Sequence, residues 1–296
     1  MIRGTLAIVS LAAGSCLSAT TILDAADAPG VMDADYQDLG ALFPSVGGVV
    51  GSGLDGSGVL IGDRWVLTAG HIGSFAGTAT FTVGGVGYTS TAITIAPGYS
   101  FSFSASPNDL ALIELAVPVV GIDPVSMYRF GSPNDVLGSE ATWVGFGLGG
   151  TGLSGQGSLP VAKRGFTNVI DAIDVLGLPD TAFVADFDRP GGTDNTLAGS
   201  DPIPSALEGN VTPGDSGGGV FVEIGGVPYL VGINSFQGAV DPDMTLDGDY
   251  GDLSAATNLA LYDVWIESVS GIGTVPEPGV VLLSLLGFGR IWVRRR

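Results

Sequence analysis

Apolar positions in this chain come in short runs separated by Gly, Pro, Asn and Asp, and long stretches of helical period are scarce. Gly58-Val59-Leu60-Ile61, a turn at Gly62-Asp63, and Trp65-Val66-Leu67-Thr68-Ala69 together predict a buried hairpin. The alternation in Asp109-Leu110-Ala111-Leu112-Ile113-Glu114-Leu115 predicts a further strand that opens on an aspartate. On the same grounds strands are expected at 57–62, 65–69, 78–83, 109–115, 141–147, 217–223 and 228–234, with one helix near 259–269. The Gly-, Ser- and Thr-rich stretch 148–158 and the stretch 189–206 read as mobile insertions. No internal repeat is visible.

Composition sharpens this picture. With 45% hydrophobic residues, 49 glycines and only 14% charged residues, the chain is too apolar for disorder and suits short strands joined by tight turns. Its net charge is −20, and Arg3, Arg290, Arg294, Arg295 and Arg296 lie near the termini. The body keeps Arg64, Arg129, Lys163, Arg164 and Arg189, which excludes a nucleic-acid partner, since such binding rests on phosphate neutralisation. Cys16 is the only cysteine, so the body carries no disulfide, an ordinary state for an exported bacterial protein.

Both ends read as addresses. Arg3, the apolar stretch Leu6 to Ala13 and the exit Leu17-Ser18-Ala19 make residues 1–19 a signal peptide, cleaved after Ala19, with Ala25 or Ala26 as alternatives. At the other end, Val275-Pro276-Glu277-Pro278 is followed by an apolar run from Gly279 to Gly289, Arg290, and Arg294 to Arg296. The run is short for a spanning helix, and the arginines would hold its end in the cytoplasm. Residues 271–296 resemble the PEP-CTERM sorting signal of Gram-negative bacteria. That resemblance implies transient anchoring in the inner membrane, processing by an exosortase-type enzyme and release to the envelope or outside. The alternative is a plain C-terminal anchor.

His71 is the sole histidine, so any chemistry that needs an imidazole must use it. It follows the predicted hairpin, a rigid place from which to present a catalytic group. Gly214-Asp215-Ser216-Gly217-Gly218-Gly219 surrounds a serine with small residues, which lets substrate approach and lets the N–H groups of Gly214 and Ser216 converge as an oxyanion hole. A Gly-rich turn is the bland reading. A nucleophile elbow of an α/β-hydrolase would need a histidine after the serine, and none follows Ser216. Subtilisin order could use Asp55 or Asp63, but strand–helix alternation is absent. The order histidine, acid, serine needs an aspartate between 71 and 216. Asp109 opens the most regular strand there, although it could simply cap the turn after Pro107-Asn108; Asp123 and Asp135 also lie in the interval.

Trp65-Val66-Leu67-Thr68-Ala69-Gly70-His71, Asn108-Asp109-Leu110-Ala111-Leu112 and Gly214-Asp215-Ser216-Gly217-Gly218 together resemble the histidine, aspartate and serine motifs of the trypsin-like (S1) serine peptidases. The likeness runs over roughly residues 41–270. It implies an all-β fold of two antiparallel six-stranded β-barrels with a C-terminal helix, residues 41–135 and 136–270 forming the barrels after an N-terminal segment 20–40. It implies a monomeric endopeptidase that takes polypeptide substrates through a His71, Asp109, Ser216 triad. Ser235, Phe236 and Gln237 would lie on the strand that pairs with substrate, with Ser235 touching Asp109. Asn210, six positions before Ser216, would stand at the base of the specificity pocket, where a neutral amide does not complete a site for Lys or Arg. Gln237 in place of the usual Gly would narrow or polarise the wall. No activation sequence is evident, and whether Asp215 pairs with a freed N-terminus is left open.

No cofactor is required by this reading. The loop Asp241 to Asp252 gathers carboxylates that could collect Ca²⁺ ligands, but its spacing fails the EF-hand pattern and a solvated acidic loop is the expectation. The competing functional classes are a catalytically silent surface module on the same fold and a Gly-rich matrix protein.

Overall fold

A computed structural model describes residues 20–51, 53–102, 106–129, 131–160, 162–173 and 181–276. The expected signal peptide and the tail from Glu277 onward lie outside the described residues. Within them, no helix is long and apolar enough to cross a membrane.

The first half closes into a barrel of six strands. Around it run Val46–Val50, Asp55–Gly62, Trp65–Thr68, Ala111–Leu115, Val86–Ile95 and Thr80–Val83, the last pairing back with the first. The expected hairpin is present, with Leu60 opposite Val66 and a register shift before Gly62. Its inward side chains Val49, Leu60, Val66, Phe81, Ile113 and Leu115 are buried together, which is what period-two alternation on a closed sheet provides.

The second half departs from the six-stranded barrel of the expectation. It is a seven-stranded antiparallel sheet in the order Arg164–Val169, Glu140–Gly145, Gly219–Ile224, Val227–Gly238, Leu253–Asn258, Ala182–Asp186, Ala172–Ile173. The sheet curls into a half-barrel around Trp143, whose ring packs on Phe166 and Phe183 at centroid distances of 5.8 and 5.7 Å. Asn168 Nδ2 donates to Asp186 O at 2.7 Å and Asp171 N donates to Val184 O at 2.9 Å. These bonds draw the gap together where no ladder closes it.

The helix at the C-terminal end starts later than expected, at Asp263–Ser270, after a 3₁₀ turn Leu259–Leu261. Asn258 caps that turn by accepting from Ala260 N at 3.1 Å. Tyr262 and Ile266 bury into a cluster that includes Val59 and Leu112 of the barrel and Phe221 and Ile233 of the half-barrel. The helix therefore seals the seam between the halves.

Two stretches read as mobile insertions are instead pinned. Gly150–Thr151 and Gly155–Gln156 join Thr21–Ile22 and Gly209–Asn210 in a small four-stranded sheet. Asp186 Oδ2 accepts from Thr196 N and Leu197 N at 2.7 and 2.8 Å, fixing the 189–206 loop, and Leu197 is buried. The N-terminal segment also carries an unexpected helix, Asp33–Ala41, that lies on the strand Arg164–Val169. Arg164, with no solvent exposure, pairs there with Asp33.

Candidate active site

His71 stands in the first turn of a short helix, Gly70–Ala76, that follows directly on the strand Trp65–Thr68. The sequence reading placed it at a strand end; the helix turns it back toward Asp109. Gly70 is needed for that approach, because a Cβ there would stand 2.9 Å from Leu110 N and from the Tyr99 ring.

Asp109 is delivered by strained backbone. Asn108 has φ 54°, one of two non-glycine residues with positive φ among those described, and Leu110 N donates to Asn108 O at 2.8 Å. Asn108 is held in place by its own side chain. Its Nδ2 donates to Gly98 O at 3.1 Å, and its Oδ1 accepts from Tyr262 Oη at 2.8 Å. The regular strand then begins at Ala111 rather than at Asp109.

The Asp109 carboxylate is 2% exposed and grips His71 twice. Oδ1 accepts from His71 N and Oδ2 meets Nδ1, each at 2.8 Å. Ser235 Oγ donates to the same Oδ2. Ser235 is the residue skipped by a register shift between Asn234 and Phe236, and such a bulge frees its polar groups from the ladder. Its carbonyl accepts from Ser216 Oγ at 3.3 Å. One residue thus joins the aspartate to the serine. Among the described residues, no hydrogen bond links Ser216 directly to His71.

The serine turn is clamped between the halves. Ser57 N donates to Ser216 O and Ser57 Oγ to Gly214 O, both at 2.8 Å. Gly217, with φ +88°, donates to Asn234 O at 2.8 Å, and a methyl on it would stand 2.1 Å from Ser57 O. The N–H groups of Gly214 and Ser216 have no acceptor among the described residues.

Beneath the turn, Asp215 has no solvent exposure. Burial pushes its carboxyl up, and hydrogen bonds from Thr212, Gly147 and Thr20 oppose the rise. Gly147 N donates at 2.7 Å, Thr212 N at 2.9 Å, and Thr20 Oγ1 at 3.2 and 3.1 Å to the two oxygens. No Lys or Arg pairs with it among the described residues.

Asn210 does not face an open pocket. It is fully buried in the small sheet opposite Thr21, its Oδ1 accepts from Ser254 Oγ, and its Nδ2 has no partner. Gln237 lies across the ladder from Ser254, and its Nε2 is likewise buried and unpartnered. Phe236 packs against Val184, Leu197, Leu253 and Ala255.

Asn108, Tyr262, Ser57 and Thr20 were not singled out from sequence as site residues. Only Asn108 carried a usable signal, as a residue that tolerates left-handed φ immediately before the aspartate.

Comparison with curated proteins gives no match. A family model described as Trypsin matches residues 42–247, a span that contains His71, Asp109 and Ser216. That match covers more than half of the chain and agrees with a closed β-barrel, a half-barrel and a C-terminal helix, so the chain belongs to the trypsin family of serine peptidases.

Proposed function

We propose that this chain is an exported serine endopeptidase in which Ser216 is the nucleophile, His71 the general base and Asp109 the residue that orients the base. The observation that carries the reading is the linkage from His71 Nδ1 through Asp109 Oδ2 and Ser235 to Ser216 Oγ. With Nδ1–H donated to the carboxylate, Nε2 is left as the acceptor, the tautomer a base requires. Ser216 Oγ leaves Ser235 O, gives its proton to Nε2 and attacks the scissile carbonyl. The N–H groups of Gly214 and Ser216 then hold the oxyanion. His71 passes the proton to the departing amine, and water, activated by the same imidazole, frees the acyl group from Ser216. Asp109 stabilises the imidazolium throughout. The strand Val227–Gly238 offers backbone beyond its bulge for pairing with a polypeptide substrate.

Signal removal after Ala19 would leave the α-amino group on Thr20, whose side chain already touches buried Asp215. The charge that Asp215 lacks would then arrive with export, and the PEP-CTERM-like tail would hold the protein at the inner membrane until exosortase-type processing.

A catalytically silent module on the same fold is the second reading, favoured by the absence of a direct Ser216–His71 hydrogen bond. A fluorophosphonate probe separates the two. The peptidase labels covalently at Ser216, and Ser216→Ala abolishes labelling. A folded wild-type protein that takes up no label is the silent module.

A further inference from the structure

The acidic loop of the second half, expected from sequence to be solvated, keeps Pro242, Asp243 and Thr245 exposed but buries Gly248, Tyr250, Gly251 and Asp252. We infer that Asp247, Asp249 and Asp252, together with Gln156, form a Ca²⁺ site that locks the 247–252 turn against the wall of the candidate cleft. One oxygen from each of the three aspartates lies within 4.8 Å of the others, a spacing that one hard cation with oxygen ligands can span.

Proximity alone does not make a site; the burial of unused oxygens adds the second argument. Asp252 has no solvent exposure, and while its Oδ2 accepts from Gly248 N at 2.8 Å, its Oδ1 is buried without a partner. Asp249 Oδ1 is in the same state. Gln156 offers a neutral oxygen beside this turn. Gln156 donates from its backbone N to Asp247 O at 2.6 Å and from Nε2 to Leu246 O at 3.3 Å, which leaves Oε1 against this turn, buried and unpartnered. Buried oxygens without donors are costly unless a cation takes them.

Among the described residues no Lys or Arg pairs with these three aspartates. Arg189, which lies over the Tyr250 ring, is taken by Asp27 and Asp194. A second group, Asp241, Asp243 and Asp249, is less suited. Asp241 already accepts from Asp243 N and Met244 N at 3.3 Å, and Asp243 is exposed.

The ion would act on its surroundings through Gly248 and the strand Leu253–Asn258. A Cβ on Gly248 would stand 3.2 Å from Gln237 Nε2, so the turn rests on the residue that sets the wall.

Calorimetric titration of CaCl₂ into the full chain, stripped with chelator and carrying Ser216→Ala to prevent self-cleavage, tests the inference. One Ca²⁺ should bind per chain, with a melting temperature raised by roughly 5–10 °C when Ca²⁺ exceeds Kd a hundredfold. Asp249→Asn and Asp252→Asn should each weaken binding tenfold or more, and Asp243→Asn should leave it within twofold. If Asp252→Asn does not fold, as judged by circular dichroism, Asp249→Asn, at the less buried of the two positions, decides. No saturable heat and no melting shift at 10-fold millimolar excess overturns the site. So does unchanged binding in Asp249→Asn, or loss confined to Asp243→Asn.

Discussion

At the residue scale the candidate site depends on a few side chains that hold others in unfavourable positions. His71 was legible because it is the only imidazole, and Ser216 because glycines crowd it on both sides. Asn108 shows what one-dimensional reading loses. Its φ of 54° costs about 1–2 kcal/mol in most residues, and only the fold reveals that Gly98 and Tyr262 offset that cost by bonding its amide. Asn108→Ala should therefore lower stability by about 2–3 kcal/mol, combining backbone strain with two lost hydrogen bonds. Asn108→Gly should recover the backbone share and leave the rest missing. Urea titration of the three proteins measures this, and equal losses in both variants would put the φ argument aside. For chemistry the decisive residue is His71. His71→Ala should cut peptide turnover by roughly 10⁴-fold or more with the melting temperature little changed, read by kcat/KM on a fluorogenic peptide. Turnover near that of wild type would remove the imidazole from the mechanism.

At the element scale, legibility followed the clarity of alternation. The strands within 55–68, 111–115, 140–145 and 219–224 alternate cleanly or run apolar, and sequence found them. Val46–Val50 was missed because Gly47-Gly48 interrupts the pattern. Val86–Ile95 was missed because its inward positions include Ser90, a buried hydroxyl that accepts from Ala79 N at 2.9 Å. The helix Asp33–Ala41 has only Tyr36 and Gly40 buried, so it shows no apolar stripe; tertiary contacts hold it, as short helices require. Chief among these is the ion pair of Asp33 with the fully buried Arg164. Asp33→Ala leaves that guanidinium without its carboxylate and should cost about 2 kcal/mol, between the loss for a fully buried pair and that for a surface pair, because Arg164 is buried while Asp33 is partly exposed. Denaturant unfolding would read the change, and a loss below about 0.5 kcal/mol, typical of a surface pair, would mean that the remaining partners of Arg164, Pro160 O among them, suffice for it.

At the scale of the whole molecule, the net charge of −20 is not confined to the surface. Sequence showed how many acids there are but not that several lie inside, because burial of a polar side chain depends on strands far apart in the chain. Beside the half-barrel, burial and the neighbouring Asp186 push Asp171 and Asp188 up to about 7. Burial raises Glu208 to about 9, even though it accepts hydrogen bonds from Ser205 N and Asp188 N. Each of these groups holds a proton more tightly in the folded chain than in the unfolded one. Between the unfolded carboxylate value near ~4 and the folded values, the native state binds more protons, so stability must fall as pH rises. The stabilising contribution is complete in acid and is lost progressively up to about pH 9, the value for Glu208. This is the reverse of the usual ion-paired carboxylate, whose contribution grows with pH. Melting temperatures measured from pH 5 to about 9 should therefore decline, and Glu208→Gln, which fixes the neutral form, should flatten the alkaline part of the curve. A melting temperature that climbs through this window, or a Glu208→Gln curve parallel to that of the wild type, would mean that these interior acids are ionised and paired in the folded protein.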